Sequence, residues 1–160
     1  AGARAIATEI LNQPMPQDSP QDIAVVREAA IRAANYLEGL ADVLAGNPSR
    51  GRETLARAVA MPGYQYAIYK LGLARALLLD GKLPEALEMA RAAAIERDPD
   101  DIRLDLELDR SRALLLEAEA LAAQGEKAAS AARAREFLRR WKAADPGQVD
   151  RARAASLAAP

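Results

Sequence analysis

The sequence contains no histidine and no cysteine. It therefore lacks the side chain that most often acts as a general base near neutral pH, the thiol nucleophile, disulfides and the usual ligands of structural zinc. It also lacks an apolar run of about 18 residues, the length at which a helix can cross a bilayer. We expect a chain that is not an enzyme, needs no cofactor or metal, and does not itself insert into a membrane.

The chain also has no large excess of either positive or negative charge. The chain has 22 basic and 23 acidic residues and a net charge of −1, so no global field attracts it to nucleic acid. The sequence begins Ala-Gly-Ala, without a methionine and without a signal peptide, and we expect an excised domain of a larger protein. Because a cysteine-free domain suits the cytoplasm and the periplasm alike, the compartment stays open between them.

Aromatic residues are also scarce, at 4% of the chain, whereas 39 residues are alanine. Alanine has the highest helix propensity, and β-branched and aromatic residues are those that sheets favour. The composition therefore predicts an all-α protein in which small side chains allow helices to approach closely.

Proline and glycine divide the chain into segments with helical periodicity. The breaks fall at 13–20, 46–48, 61–63, 80–82, 98–101, 124–125 and 145–147. The connections are short, which favours antiparallel neighbours. We predict the end of an upstream repeat over 1–12, hairpin 1 over 21–60, hairpin 2 over 64–97, hairpin 3 over 104–143 and a C-terminal cap helix over 148–157.

The three predicted hairpins resemble one another in sequence. The pattern Tyr-x-x-Gly-Leu-Ala-x-x-Leu occurs at 36–44 and again at 69–77, an offset of 33. The second helices of these hairpins match at an offset of 32, and a third copy follows 44 residues after the second. The extra residues of the third copy fall in the acidic connection 97–108, where an insertion costs little.

These positions resemble the tetratricopeptide repeat (TPR) family, whose unit is a helix–turn–helix. The middle copy carries the resemblance with Leu73 and Ala74 in its first helix, Gly81 in the turn and Ala86 in the second helix. The third copy matches less closely. In the first copy, Pro48 and Thr54 stand where the turn glycine and the small residue are expected. The resemblance implies a right-handed helical solenoid of about three antiparallel hairpins, spanning 1–160 as one TPR-like domain.

The sequence pattern of residues 35–147 is also similar to that of the TPR regions of large bacterial signalling proteins, such as serine/threonine kinases. This similarity implies a non-enzymatic interaction module that binds a peptide or helix of a partner protein. Homodimerisation is the first alternative, and a helical domain that binds a small molecule is the second.

In TPR proteins the first helix of each hairpin lines a concave groove that binds the partner. Carried over to this sequence, the groove positions supply a mixture of apolar, acidic and basic side chains. They are Asn35, Glu38 and Asp42 in the first copy, Ile68, Leu71 and Arg75 in the second, and Arg112, Leu115 and Glu119 in the third. Tyr64 and Tyr66 at the start of hairpin 2 are further candidates, because tyrosine recurs at binding hot spots.

Overall fold

A computed structural model describes residues 2–14, 20–63, 66–96, 106–143 and 147–159 of the chain. These residues form eight α-helices and no strand, which confirms the predicted all-α class. The helices are α1 (Gly2–Asn12), α2 (Pro20–Leu44), α3 (Pro48–Ala60), α4 (Ala67–Leu79), α5 (Leu83–Ala94), α6 (Leu106–Ala123), α7 (Lys127–Arg140) and α8 (Val149–Ala158).

The chain divides into two compact units, Ala1–Gln65 and Tyr66–Pro160. In the first unit α1 packs on α2, and α2 packs on α3. In the second unit each helix from α4 to α8 packs on the next one along the chain. In addition, α6 packs on both α4 and α8, so these three helices lie side by side.

Helices α2, α4 and α6 end in the same turn. Gly46, Gly81 and Gly125 follow their last residues with φ of 82°, 73° and 85°, a conformation that residues with a Cβ adopt at a cost. In each turn the glycine N–H donates to the carbonyl three residues earlier, and the next N–H donates to the carbonyl five residues earlier. This pair of bonds is the Schellman motif, which satisfies carbonyls left open at a helix end.

These turns correct the alignment of the first repeat. Gly46 and Gly81 are 35 residues apart, so the offset of 33 read from the sequence is wrong at the turn. The turn glycine of the first copy is therefore Gly46 rather than position 48. The second helix confirms the shift, since the N–H of Gly51 donates to the carbonyl of Asn47 as the N–H of Ala86 donates to that of Lys82.

Small residues at this corrected position bring paired helices close together. A Cβ built on Gly51 of α3 would lie 2.8 Å from the carbonyl oxygen of Gly39 on α2. In the third copy the equivalent residue is Ser130, whose buried hydroxyl donates to the carbonyl oxygen of Ala118 at 2.8 Å. Gly51, and not Thr54, is the small residue that allows α2 and α3 to cross.

The second unit has one apolar core cluster between α4, α5 and α6 and another between α6, α7 and α8. Phe137 is fully buried, and its ring stacks on the Trp141 ring with centroids 4.8 Å apart and an angle of 29° between planes. Small alanines of the three helices close around this pair (Ala118, Ala134 and Ala154). Helix α7 ends at Arg140, before the predicted end at 143, and Trp141 is its C-cap residue.

Candidate functional site

The side-by-side helices α4, α6 and α8 enclose a cavity of about 220 Å³, which we call the arginine groove. Buried leucines form its floor, and charged side chains form its rim. The lining residues are Leu71 and Arg75 of α4, Arg112, Leu115, Leu116 and Glu119 of α6, and Asp150 and Arg153 of α8. An apolar floor with a few convergent polar groups is the usual construction of a binding site.

A chain of ion pairs runs along the rim of the arginine groove. Arg75 Nη1 lies 2.9 Å from Glu119 Oε2, and the other oxygen of Glu119 accepts a hydrogen bond from Arg153. Arg153 also reaches Asp150 Oδ1 at 3.1 Å, and Arg112 Nε lies 3.7 Å from Asp150 Oδ2. Three arginines against two carboxylates leave the rim with one excess positive charge.

The structure brings five of the predicted groove residues together in this cavity: Leu71, Arg75, Arg112, Leu115 and Glu119. Leu71 and Leu115 are buried, so they contribute to the floor and not to an open surface. Ile68 is half-buried on α4 outside the cavity lining. Tyr66 is the N-cap residue of α4, with its ring centroid 6.1 Å from that of Tyr69, and Tyr64 lies outside the described residues.

The candidates from the first copy do not line the arginine groove. Asp42 is buried, pairs with Arg4 and lies 3.3 Å from Arg50 Nε through its Oδ2. Asn35 is half-buried, with its amide nitrogen 3.8 Å from Met61 Sδ, and Glu38 is half-buried.

The incorrect offset of 33 explains why Asp42 was predicted to line the groove although it is buried. With the corrected offset of 35, Asp42 corresponds to Leu77, which is also buried, and not to Arg75. Its contacts make it an internal ion-pair residue of the first unit. The positions of the first copy that correspond to the groove residues of α4 are Ala33, Tyr36 and Leu40.

Sequence reasoning missed the contribution of α8. Asp150 and Arg153 line the arginine groove, whereas the sequence predicted only a cap for this helix. Their spacing of three residues indicates an intrahelical ion pair, and that pair is present. Nothing local to α8 indicated that Arg153 would also bond Glu119 on another helix.

A second ion-pair cluster lies on a different side of α6. The buried carboxylate of Glu117 accepts a hydrogen bond from Arg91 Nε of α5 at 3.0 Å and lies 3.2 Å from Arg133 Nε of α7. The charge of Glu117 raises the pKa of the Arg133 guanidinium above its ordinary range. This cluster joins α5, α6 and α7 through the buried carboxylate of Glu117.

The described ranges contain no group of three or more acidic side chains arranged to hold a metal ion. None of the helices described is long and apolar enough to cross a bilayer. The arginine groove offers hydrogen-bond donors, carboxylates and apolar contact. These groups equip it to bind a ligand by charge and shape.

Comparison of the chain with known protein families, with curated proteins and with solved structures gives no match.

Proposed function

We propose that the chain is a non-enzymatic protein-interaction module that binds a peptide or helix of a partner protein in the arginine groove. The observation that carries the proposal is the convergence of five groove candidates, chosen by repeat position, on one cavity. The buried leucines of the floor accept an apolar side chain of the peptide. The excess arginine of the rim favours an acidic residue close to that apolar side chain.

The same proposal includes a TPR-like solenoid. Three observations support it: the repeated Schellman turns, the equivalent small residues Gly51, Ala86 and Ser130, and the packing of α6 on both α4 and α8. In such a solenoid α4, α6 and α8 are the first helices of successive hairpins. The sequence similarity noted above supports the further proposal that the module is the sensory or scaffolding region of a larger bacterial signalling protein, such as a serine/threonine kinase or regulator.

The test is selection of ligands from a library of random short peptides, followed by affinity measurement on variants. We expect peptides that combine an acidic residue with a leucine-like residue. Arg75→Gln and Arg153→Gln should each lower the affinity for the selected peptide by about tenfold, because each removes a charge-assisted hydrogen bond. Arg139→Gln is the matched control, since Arg139 is exposed on α7 and outside the groove.

Equal affinities of all three variants for the selected peptides would contradict the proposal. Leu71→Asp is unsuitable as a binding test, because Leu71 is buried and a carboxylate there would unfold the second unit.

Homodimerisation is the alternative that a specific observation favours. Among its described residues the first unit exposes five large apolar side chains, and four of them lie on α1 and the first part of α2, with Ile6 50%, Leu11 47%, Val25 65% and Val26 40% exposed. One of them, Leu11, lines a cavity of about 400 Å³ together with Gln13, Ile23, Arg27, Ala30 and Ile31. An apolar patch of this kind is typical of a protein–protein interface.

If this patch joins two copies, sedimentation equilibrium should show a mass that rises with concentration from that of a monomer to that of a dimer. Leu11→Glu should then restore the 17.1 kDa monomer, because dimerisation would bury the new charge. Val149→Glu serves as the control, since Val149 is 69% exposed in the second unit. A monomer at every concentration would remove this alternative.

A further inference from the structure

A second and larger cavity, of about 780 Å³, lies where the start of α6 meets the end of α7 and the start of α8. We call it the tryptophan cavity. It is lined by Glu107, Leu108, Ser111 and Arg112 of α6, Arg140 of α7, and Trp141, Ala143 and Gln148. Of these residues only Arg112 also lines the arginine groove. Its volume falls within the range of about 300–1,000 Å³ that is usual for small-molecule pockets.

One part of the tryptophan cavity is apolar and rigid. The Trp141 ring is held in place by stacking on Phe137, and 8% of the residue remains exposed. Leu108 lies on the same cavity and is 46% exposed. A ligand with an apolar body would remove this surface from water at little cost in side-chain order, because the indole is already fixed.

The other part of the tryptophan cavity presents two guanidinium groups, those of Arg112 and Arg140. Arg112 has one ion-pair partner among the described residues, Asp150 at 3.7 Å through Nε, so its terminal nitrogens can donate to a ligand. Arg140 donates to Glu136 Oε1 at 3.1 Å and lies 4.0 Å from Glu107 Oε2. Among the described residues of the lining, Glu107 carries the one carboxylate, and Arg110 donates a hydrogen bond of 2.7 Å to it.

We propose that the tryptophan cavity binds a small carboxylate with an apolar body, such as a medium-chain fatty acid or an arylalkanoic acid. The carboxylate lies between Arg112 and Arg140, and the apolar body covers Trp141 and Leu108. Guanidinium groups match the planar geometry of a carboxylate, and the apolar wall disfavours a fully hydrated anion. This ligand differs from the peptide proposed for the arginine groove, and the two cavities share Arg112.

Titration of the whole chain with decanoate tests the proposal, since Trp141 is the only tryptophan and its fluorescence reports this cavity directly. We expect a saturable change in fluorescence and the same dissociation constant by calorimetry. Decan-1-ol, which has no charge, should bind at least about tenfold more weakly, because it forms no charge-assisted hydrogen bond. Acetate, which has no apolar body, should give no saturable change.

Variants separate this site from its surroundings. Arg140→Gln should lower the affinity for decanoate by about tenfold, because it removes a charge-assisted hydrogen bond. Leu108→Ser should lower this affinity by a few-fold, because it removes apolar contact. Arg139→Gln and Leu79→Ser are the matched controls, because both residues are exposed in the second unit and lie outside the cavity. Circular dichroism checks that each variant keeps its helix content.

Three results would each overturn the proposal: decanoate that leaves Trp141 fluorescence unchanged, equal affinity for decanoate and decan-1-ol, or an equal loss in Arg139→Gln and Arg140→Gln. Arg140 lies outside the arginine groove, so Arg140→Gln should leave peptide affinity unchanged.

Discussion

Phe137→Ala should lower the free energy of unfolding by about 4 kcal/mol. Phe137 is the largest of the fully buried side chains and stacks on Trp141 at the junction of α6, α7 and α8. Its removal leaves a cavity among the packed alanines and leucines of the same cluster. The loss therefore combines the lost transfer free energy of the ring with the cost of an unfilled volume.

Urea denaturation followed by circular dichroism measures this loss without depending on the tryptophan signal. Phe137→Leu keeps most of the volume and should cost about 1.5 kcal/mol or less. Leu138→Ala is the control for truncation on the same helix, because Leu138 is only partly buried against the core. Equal losses for Phe137→Ala and Leu138→Ala would show that the stacked pair is not the centre of this core.

Gly51→Leu should lower the free energy of unfolding of the first unit by about 3 kcal/mol, because the leucine side chain does not fit into the close crossing of α2 and α3. A Cβ at this position would lie 2.5 Å from Val43 Cγ2 and 2.8 Å from the carbonyl oxygen of Gly39. The first neighbour is a side chain and can turn away. The second is backbone, so α2 and α3 must separate along their length.

Thermal unfolding followed by circular dichroism tests this prediction, with Gly2→Leu as the control. Gly2 lies in α1, and a Cβ there meets nothing within 4 Å. Adding Val43→Ala to Gly51→Leu should not restore stability, since the Gly39 carbonyl stays in place. Full recovery in that double variant would locate the strain in the valine side chain and not in the helix crossing.

Arg75→Gln and Arg140→Gln together separate the two proposed sites of the second unit. We expect Arg75→Gln to lower the affinity for the peptide and leave that for decanoate unchanged. Arg140→Gln should lower the affinity for decanoate and leave that for the peptide unchanged. The reason is geometric, since each arginine lines one of the two cavities only. Loss of both ligands in either variant would indicate a general disturbance of α6.

The all-α class and the approximate limits of the helices follow from the sequence alone. Alanine and leucine at helical spacing leave few other conformations open, and glycine and proline act locally to end helices. Five of the six positions that line the groove on α4 and α6 also followed from the sequence, because the offset of 44 between their copies holds at the turns Gly81 and Gly125.

Tertiary structure decided the register of the first repeat and the part played by α8. Over residues 36–44 the offset of 33 gives five identities and the corrected offset of 35 gives two, so sequence identity favours the wrong register. Only the distance between α2 and α3 shows that Gly39 and Gly51 form the crossing. Likewise, Arg153 reaches Glu119 because α8 packs beside α6, and no local pattern specifies which helices become neighbours. Local propensity and spacing therefore determined the elements, whereas long-range packing determined which of their side chains meet.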